Sequence, residues 1–320
     1  RGNEQNIVYA ISNTQKKVNI MKVQDWANEW LAVYIKNRVK NRTYQKYQQV
    51  LTSHVLPQIG DKELNNVRAH DIQQLIYVEL LENKKLAGNT INIALAVCKG
   101  LFSSAEDAEI IPKNPCARIK RVSVEEKNIE VFTVREQHRL ECGVREDGRL
   151  RMFGILISLY TGLRLGELLA LTWDDVDFQR GTLTVNKTKV SQSDAETGYT
   201  SPKTKASTRT IPIPPNVIAL LKLMKRHSTC KWVVEYNGKP IHERGYQALF
   251  ERLQRRLNMR PRGFHALRHT FATRAMECGT DCKTLSELMG HSNAMITINR
   301  YTHSLMETKR KAINKIARRD

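Results

Sequence analysis

Apolar residues recur at steps of three and four from position 21 onward, which is the spacing of one face of an α-helix. The first such set is Val23, Trp26, Ala27, Trp30, Leu31 and Tyr34. Two more helical patterns cover residues 69–83 and 89–110, and Asn89 or Thr90 is the expected N-cap of the second. These patterns predict a helical domain over residues 21–118, preceded by an extension or linker at residues 1–20.

The helical periodicity stops after residue 118. The charged stretch that follows has neither helical nor strand periodicity and marks an interdomain linker at 119–128. The sequence TVRE, beginning at Thr133, predicts a capping box that opens the second domain, residues 129–320. A buried helix should follow and end at Gly162, because glycine commonly terminates helices.

Alternating residues next predict a strand from Thr182 and a returning strand at 208–214, joined by a long polar hairpin loop that includes residues 191–200. The remainder, to Asp320, reads as helical. The predicted fold class is therefore mainly α with a small antiparallel β-sheet (α+β).

The net charge of the chain indicates which kind of molecule it binds. The chain has 52 Lys and Arg against 32 Asp and Glu, a formal net charge of +20, which indicates a polyanionic partner and most simply nucleic acid. Anionic membrane is the alternative, but no basic amphipathic anchor and no run of about 18 uncharged apolar residues is present. We expect a cytoplasmic protein without membrane contact, and the start at Arg1 suggests a piece of a longer chain.

The six cysteines are scattered, and the closest two, Cys278 and Cys282, match zinc-site spacing poorly. Free thiols are the expected state. We predict no metal site and no cofactor.

One basic run, KNRVKNRTYQKYQ, combines cations with tyrosines. A solvated helix surface explains most runs of this kind, but in so basic a chain a contact with the DNA backbone is slightly favoured. The predicted DNA-binding residues are Lys36, Arg38, Lys40, Arg42 and Lys46.

A second set of polar residues suggests phosphate chemistry, because arginine binds phosphate bidentately and histidine titrates near neutrality. Arg164 follows Gly162, and Glu167 lies one helical turn further on. The predicted remaining members are His265, Arg268, His291 and Tyr301. Capping and ion pairing would explain each pair taken alone.

Taken in order, the motifs TGLRLGEL, PKTKASTRTIPI, HALRHTFAT, LMGHS and NRYTH resemble the tyrosine recombinase (phage integrase) family. The resemblance runs from about Met21 to the end and is closest to integrases of conjugative transposons. It implies a two-domain C-shaped clamp on duplex DNA that cuts and rejoins strands through a 3′-phosphotyrosine and a Holliday junction. It also implies integration or excision of a mobile element.

The resemblance places the family's catalytic positions on Arg164, Lys203 or Lys205, His265, Arg268, His291 and Tyr301, with Glu167 in a supporting role. Lys203 is preferred over Lys205 because PKT matches the family's usual placement, although the two residues share one strand face. Attachment or core sites and Holliday junctions are the implied DNA partners.

A homo-oligomer of two to four protomers on DNA is implied, with a C-terminal helix docked on a neighbour and possible accessory excision or bending factors. Two other classes stay open: a type IB topoisomerase-like enzyme, which relaxes DNA with the same nucleophile, and a DNA-binding regulator without catalysis.

Overall fold

The computed structural model describes residues 21–124, 130–189, 199–200, 208–291, 310 and 313–314. Contacts between residues divide the chain into two compact units, residues 1–126 and 127–320. Each unit has its own hydrophobic core. The positions of the first and second domains proposed from sequence stay predictions.

The described part of the first unit is helical. Its helices are α1 (Val23–Glu29), α2 (Asn41–Val50), α3 (Leu56–Ile59), α4 (Ala69–Gln73) and α5 (Gly88–Asp107), with π-helical turns at Trp30–Ile35, Leu51–Val55 and Gln74–Asn83. The apolar face read from the sequence is buried except at Tyr34, which is half-buried, and Trp26 is fully inaccessible to solvent. Its indole Nε1 donates to the carbonyl of Leu101 in α5 at 3.0 Å, so the first and last of these helices are joined through the core.

The predicted N-cap of the last of these helices is wrong. The helix begins at Gly88, and Ala87 occupies the N-cap position with no side-chain hydrogen bond. The backbone N–H groups of Thr90 and Ile91 instead donate to the carbonyl of Ala87 at 2.8 and 3.2 Å. A Cβ atom at Gly88 would lie 3.1 Å from Val124, so close packing on the end of the unit explains this glycine.

The second unit combines helices with short strands. Its helices are α6 (Val134–Asp147), α7 (Phe153–Thr161), α8 (Leu165–Ala170), α9 (Pro215–Arg226), α10 (Glu243–Arg256), α11 (His265–Glu277) and α12 (Cys282–Met289). The capping box is confirmed: Thr133 Oγ1 accepts from the Glu136 N–H at 3.2 Å, and the Glu136 carboxylate accepts from the Thr133 N–H at 2.8 Å. No helix in the described residues has the length and apolarity needed to span a membrane.

The main sheet is antiparallel, with the order β1 (Val176–Asp177), β2 (Thr182–Val185) and β5 (Arg209–Pro212). Leu183 pairs with Ile211, and both are buried against the helices. The strand from Thr182 and its returning partner are therefore confirmed. The intervening segment is not simply a loop, because β3 (Thr188–Lys189) pairs with β4 (Tyr199–Thr200).

The prediction that everything after the sheet is helical is wrong at one place. Strands β6 (Glu235–Tyr236) and β7 (Lys239–Pro240) form a hairpin. Its turn is Asn237–Gly238, and both residues have positive φ, 52° and 73°. Asn-Gly is the strongest short hairpin signal in a sequence, so this hairpin could be predicted from the sequence alone.

Candidate active site

The C-terminal end of α7 contributes to the candidate active site. This helix is buried along nearly its whole length and ends at Gly162, whose φ of 67° is left-handed. A Cβ atom at Gly162 would lie 2.6 Å from the ring of Phe271 in α11. Glycine is needed here for two reasons, the backbone conformation and the close approach of that ring.

We predict that Gly162→Ala lowers the free energy of unfolding much more than Gly148→Ala. Both glycines have nearly the same φ, 67° and 68°, but a Cβ atom at Gly148 would meet nothing within 4 Å. Left-handed strain alone costs roughly 1–2 kcal/mol in each variant. Displacing the Phe271 ring adds about 1–3 kcal/mol to Gly162→Ala alone.

Urea unfolding of the two variants beside the wild type measures this difference. Equal losses of stability would show that the Phe271 contact relaxes without cost, and that the fit of α7 to α11 is looser than the distances imply.

Arg164 and Glu167 form the next part of the site. The Arg164 guanidinium donates to Glu167 Oε1 at 2.7 Å, and the Arg164 backbone N–H donates to Oε2 at 2.9 Å. Glu167 therefore caps α8 and binds the arginine side chain at the same time. About a third of the Arg164 side chain is exposed, 35%, whereas Glu167 is almost fully buried.

The environment of Glu167 keeps it ionised. Burial alone would raise the pKa of its carboxyl group, but hydrogen bonds and the charges of Arg209 and Arg164 lower the pKa to about 2. A permanent anion in this position fixes two guanidinium groups around itself. The stability that this interaction provides is present above the ordinary glutamate pKa and is lost as pH falls through the lowered one.

Arg268 joins the ends of two helices. Its side chain is buried, and the guanidinium donates to the carbonyl of Gly162 at 2.7 Å and to the carbonyl of Met289. These carbonyls belong to the C-terminal ends of α7 and α12, where backbone acceptors lack partners within the helix and the macrodipole is negative. Arg268 thus lies where a cation is stabilised by the fold itself.

The two histidines of the predicted set are placed differently. His291 follows Gly290, which ends α12 in a left-handed conformation, and its backbone N–H donates to the carbonyl of Ser286 at 3.0 Å. His265 is the first residue of α11, one turn before Arg268, and is exposed. Its ring meets the ring of His269 edge-on, with 4.5 Å between centroids.

One member of the site was missed by sequence reasoning. Arg209, the first residue of β5, donates to both carboxylate oxygens of Glu167, at 3.2 and 2.9 Å, and through Nε to the carbonyl of Leu288 at 2.7 Å. A signal for it existed, because Arg209 is in phase with Ile211 and Ile213, which are buried. An arginine on the inward face of a strand requires a buried partner.

Lys203, Lys205 and Tyr301 lie outside the described residues. Two other lysines near β3 already have structural partners. Lys187 donates to Asp175 at 2.5 Å and to Thr172 at 3.0 Å, and Lys189 donates to the carbonyl of Ile241 at 2.8 Å. Both side chains are thus held by contacts within the fold.

In the basic run of the first unit, the cationic side chains are exposed, whereas the tyrosine rings pack against the protein. All five predicted DNA-binding cations are exposed: Lys36, Arg38, Lys40, Arg42 and Lys46. Tyr44 and Tyr47 instead pack against the core, and the Tyr47 ring stacks on Trp30 with 6.0 Å between centroids. The tyrosines thus have a structural role, whereas the cations are exposed to solvent.

No cluster of three or more His, Cys, Asp or Glu side chains able to hold a metal occurs within the described residues. The six cysteines are free thiols, and Cys98 and Cys116 are buried in the first unit. Burial raises the pKa of the Cys98 thiol to about 12, which makes it unreactive.

Comparison with known proteins identifies the family. Residues 141–308 match the model of the phage integrase family, and residues 22–80 match the phage integrase N-terminal SAM-like domain. A tyrosine recombinase XerC-like protein of Caldanaerobacter subterraneus subsp. tengcongensis is 31% identical, and the match covers 90% of this chain and 81% of that protein. The ICEBs1 integrase of Bacillus subtilis is 25% identical over 87% of this chain and 78% of its own length.

The fold agrees with these matches. The Tn1549 transposon integrase, solved in complex with transposon right end DNA, superposes with a TM-score of 0.79 at 24% identity, covering 93% of this chain and all of that one. The chain belongs to the phage integrase family of tyrosine recombinases, enzymes that break and rejoin DNA strands. The resemblance read from the sequence motifs is confirmed.

Proposed function

We propose that this chain is a site-specific recombinase that integrates or excises a mobile element, of the conjugative transposon type, in the bacterial cytoplasm. The observation that carries the proposal is the joining of Arg164, Arg268 and the Gly290–His291 turn around the ends of α7 and α12. The similarity to the ICEBs1 and Tn1549 integrases supports the mobile-element assignment.

Phosphate neutralisation is the first requirement of the reaction, since a phosphodiester anion repels an oxygen nucleophile. Arg164 and Arg268 are proposed to bind the non-bridging oxygens and the extra charge of the pentacoordinate transition state. Guanidinium groups remain charged at every physiological pH, so this stabilisation needs no metal ion. His291 is proposed to donate a hydrogen bond to the same phosphate.

Proton transfers complete the step. The Tyr301 oxygen attacks phosphorus and gives its proton to His265, directly or through water. The bond from phosphorus to the 5′ oxygen breaks, and Lys203 protonates that leaving oxygen. The resulting 3′-phosphotyrosine retains the bond energy, so the 5′-hydroxyl of a second strand can displace Tyr301 without ATP.

The remaining features place the chemistry on DNA. The exposed cations of the basic run are proposed to bind the DNA backbone of a core site. Assembly of two to four protomers on DNA, with accessory bending factors, is proposed from the family resemblance. Ile313 is 65% exposed, which suits docking on a neighbouring protomer.

A nicked suicide duplex tests the proposal. Duplexes that carry the end junctions of the element encoding this chain are incubated with the protein in EDTA and run on a denaturing gel. We expect a covalent adduct in which the protein is attached to the 3′ phosphate at the cleavage point. With a second site present, we also expect exchanged strands. An adduct without strand exchange, together with relaxation of a supercoiled plasmid that carries the same site, would indicate a topoisomerase-like enzyme. Binding without an adduct would indicate a regulator.

A further inference from the structure

The last carbonyl groups of α12 and of the turn after it all accept hydrogen bonds, two from backbone N–H groups and three from arginine side chains. The N–H groups of Gly290 and His291 donate to the carbonyls of Glu287 and Ser286, each at 3.0 Å, which is the pattern of a Schellman turn. The next three carbonyls each accept from a different arginine. The pairs are Leu288 with Arg209, Met289 with Arg268, and Gly290 with Arg164.

These arginines come from three separate elements: β5, α11 and the start of α8. The turn that carries His291 is therefore held by side chains from three directions. Two of the arginines have proposed contacts with phosphate. The third, Arg209, has a protein acceptor for each of its three side-chain nitrogens.

We propose that Arg209 is a positioning residue for cleavage, an inference that rests on the proposed function. Its bridge from Glu167 to the Leu288 carbonyl fixes Arg164 and the Gly290–His291 turn relative to each other. It acts through these groups and does not itself touch DNA.

The charges explain why a second arginine is needed on Glu167. Arg164 and Glu167 alone form a neutral pair, in which the carboxylate competes with a phosphate for the same guanidinium. Arg209 supplies a second cation to the buried carboxylate, so the three groups together retain one positive charge. Removing Arg209 leaves Glu167 to Arg164 alone and draws that guanidinium away from the phosphate.

The test compares cleavage of two suicide duplexes by Arg209→Met and Arg209→Lys. One duplex has an ordinary scissile phosphate, and the other has a methylphosphonate, which lacks one anionic oxygen. We expect Arg209→Met to form adduct roughly 100-fold more slowly on phosphate, as a misplaced catalytic group does. On methylphosphonate the defect should shrink at least several-fold, because less charge then needs to be neutralised. Arg209→Lys, which keeps the charge but loses the fork, should fall between wild type and Arg209→Met.

Arg256→Met is the matched control. Arg256 also bridges a buried carboxylate and a backbone carbonyl, Asp147 at 2.9 Å and Gly143 at 3.0 Å, in the same unit but among other elements. Its rates on the two duplexes should keep the wild-type ratio. DNA-binding affinity and thermal unfolding of each variant report any general damage.

Two outcomes would overturn the inference: a normal rate for Arg209→Met, or a defect of equal size on both duplexes. The second result would mean that Arg209 has only a structural role. If Arg209→Met does not fold, the rates of Arg209→Lys on the two duplexes provide the same comparison. Adduct formation by the wild type is read separately. Its absence would refute the proposed recombinase chemistry, not the role of Arg209 in particular.

Discussion

Tyr301→Phe should bind duplex DNA as the wild type does and form no covalent adduct. The substitution removes a single oxygen atom and leaves the aromatic ring, so contacts that depend on shape and charge persist. Without that oxygen no atom of the side chain can form a bond to phosphorus. The expected result on a nicked suicide duplex is complete loss of the slow-migrating band on a denaturing gel, with an unchanged mobility shift on a native gel.

Tyr236→Phe provides the control for this experiment. Tyr236 lies in the same unit, is 53% exposed and stacks against the Arg151 guanidinium with 4.5 Å to the ring centroid. The phenylalanine ring preserves that contact, so adduct yield should be unchanged. An adduct that persists in Tyr301→Phe would show that another residue is the nucleophile, and peptide mapping of the adduct would identify it.

Local signals predicted the elements that carry the site. Gly162 ends its helix with positive φ, and the Thr133 capping box opens the second unit, because each feature depends on residues only a few positions apart. The Asn237–Gly238 hairpin and the inward face of Arg209 were equally local, but neither was recognised. The signals were present in turn chemistry and in alternation with Ile211.

Other features depend on distant parts of the chain and have no local signal. The guanidinium of Arg268 reaches the carbonyl of Gly162, 106 residues earlier, and that of Met289, 21 residues later. The start of α5 at Gly88 has no capping side chain to mark it in the sequence. Family resemblance supplied the grouping of Arg164 with Arg268, whereas the structure supplied the backbone acceptors that hold them.

The choice between Lys203 and Lys205 remains a prediction, and a leaving-group test decides it. Loss of the general acid should slow cleavage by about 10²–10⁴-fold when the leaving group is a 5′ oxygen, since an alkoxide leaves poorly without a proton. We expect Lys203→Ala to show this loss and Lys205→Ala to show much less. Each variant serves as the control for the other, because both remove one positive charge from the same short segment.

A duplex with a 5′-bridging sulfur separates proton donation from every other effect of the substitution. A thiolate leaves without protonation, so removal of the true general acid should have little effect on its rate of adduct formation. We therefore expect Lys203→Ala to cleave the sulfur duplex nearly as fast as the wild type. Rescue of Lys205→Ala alone would transfer the role to Lys205. Rescue of neither would mean that Lys203 contributes through phosphate charge, as Arg164 and Arg268 are proposed to do.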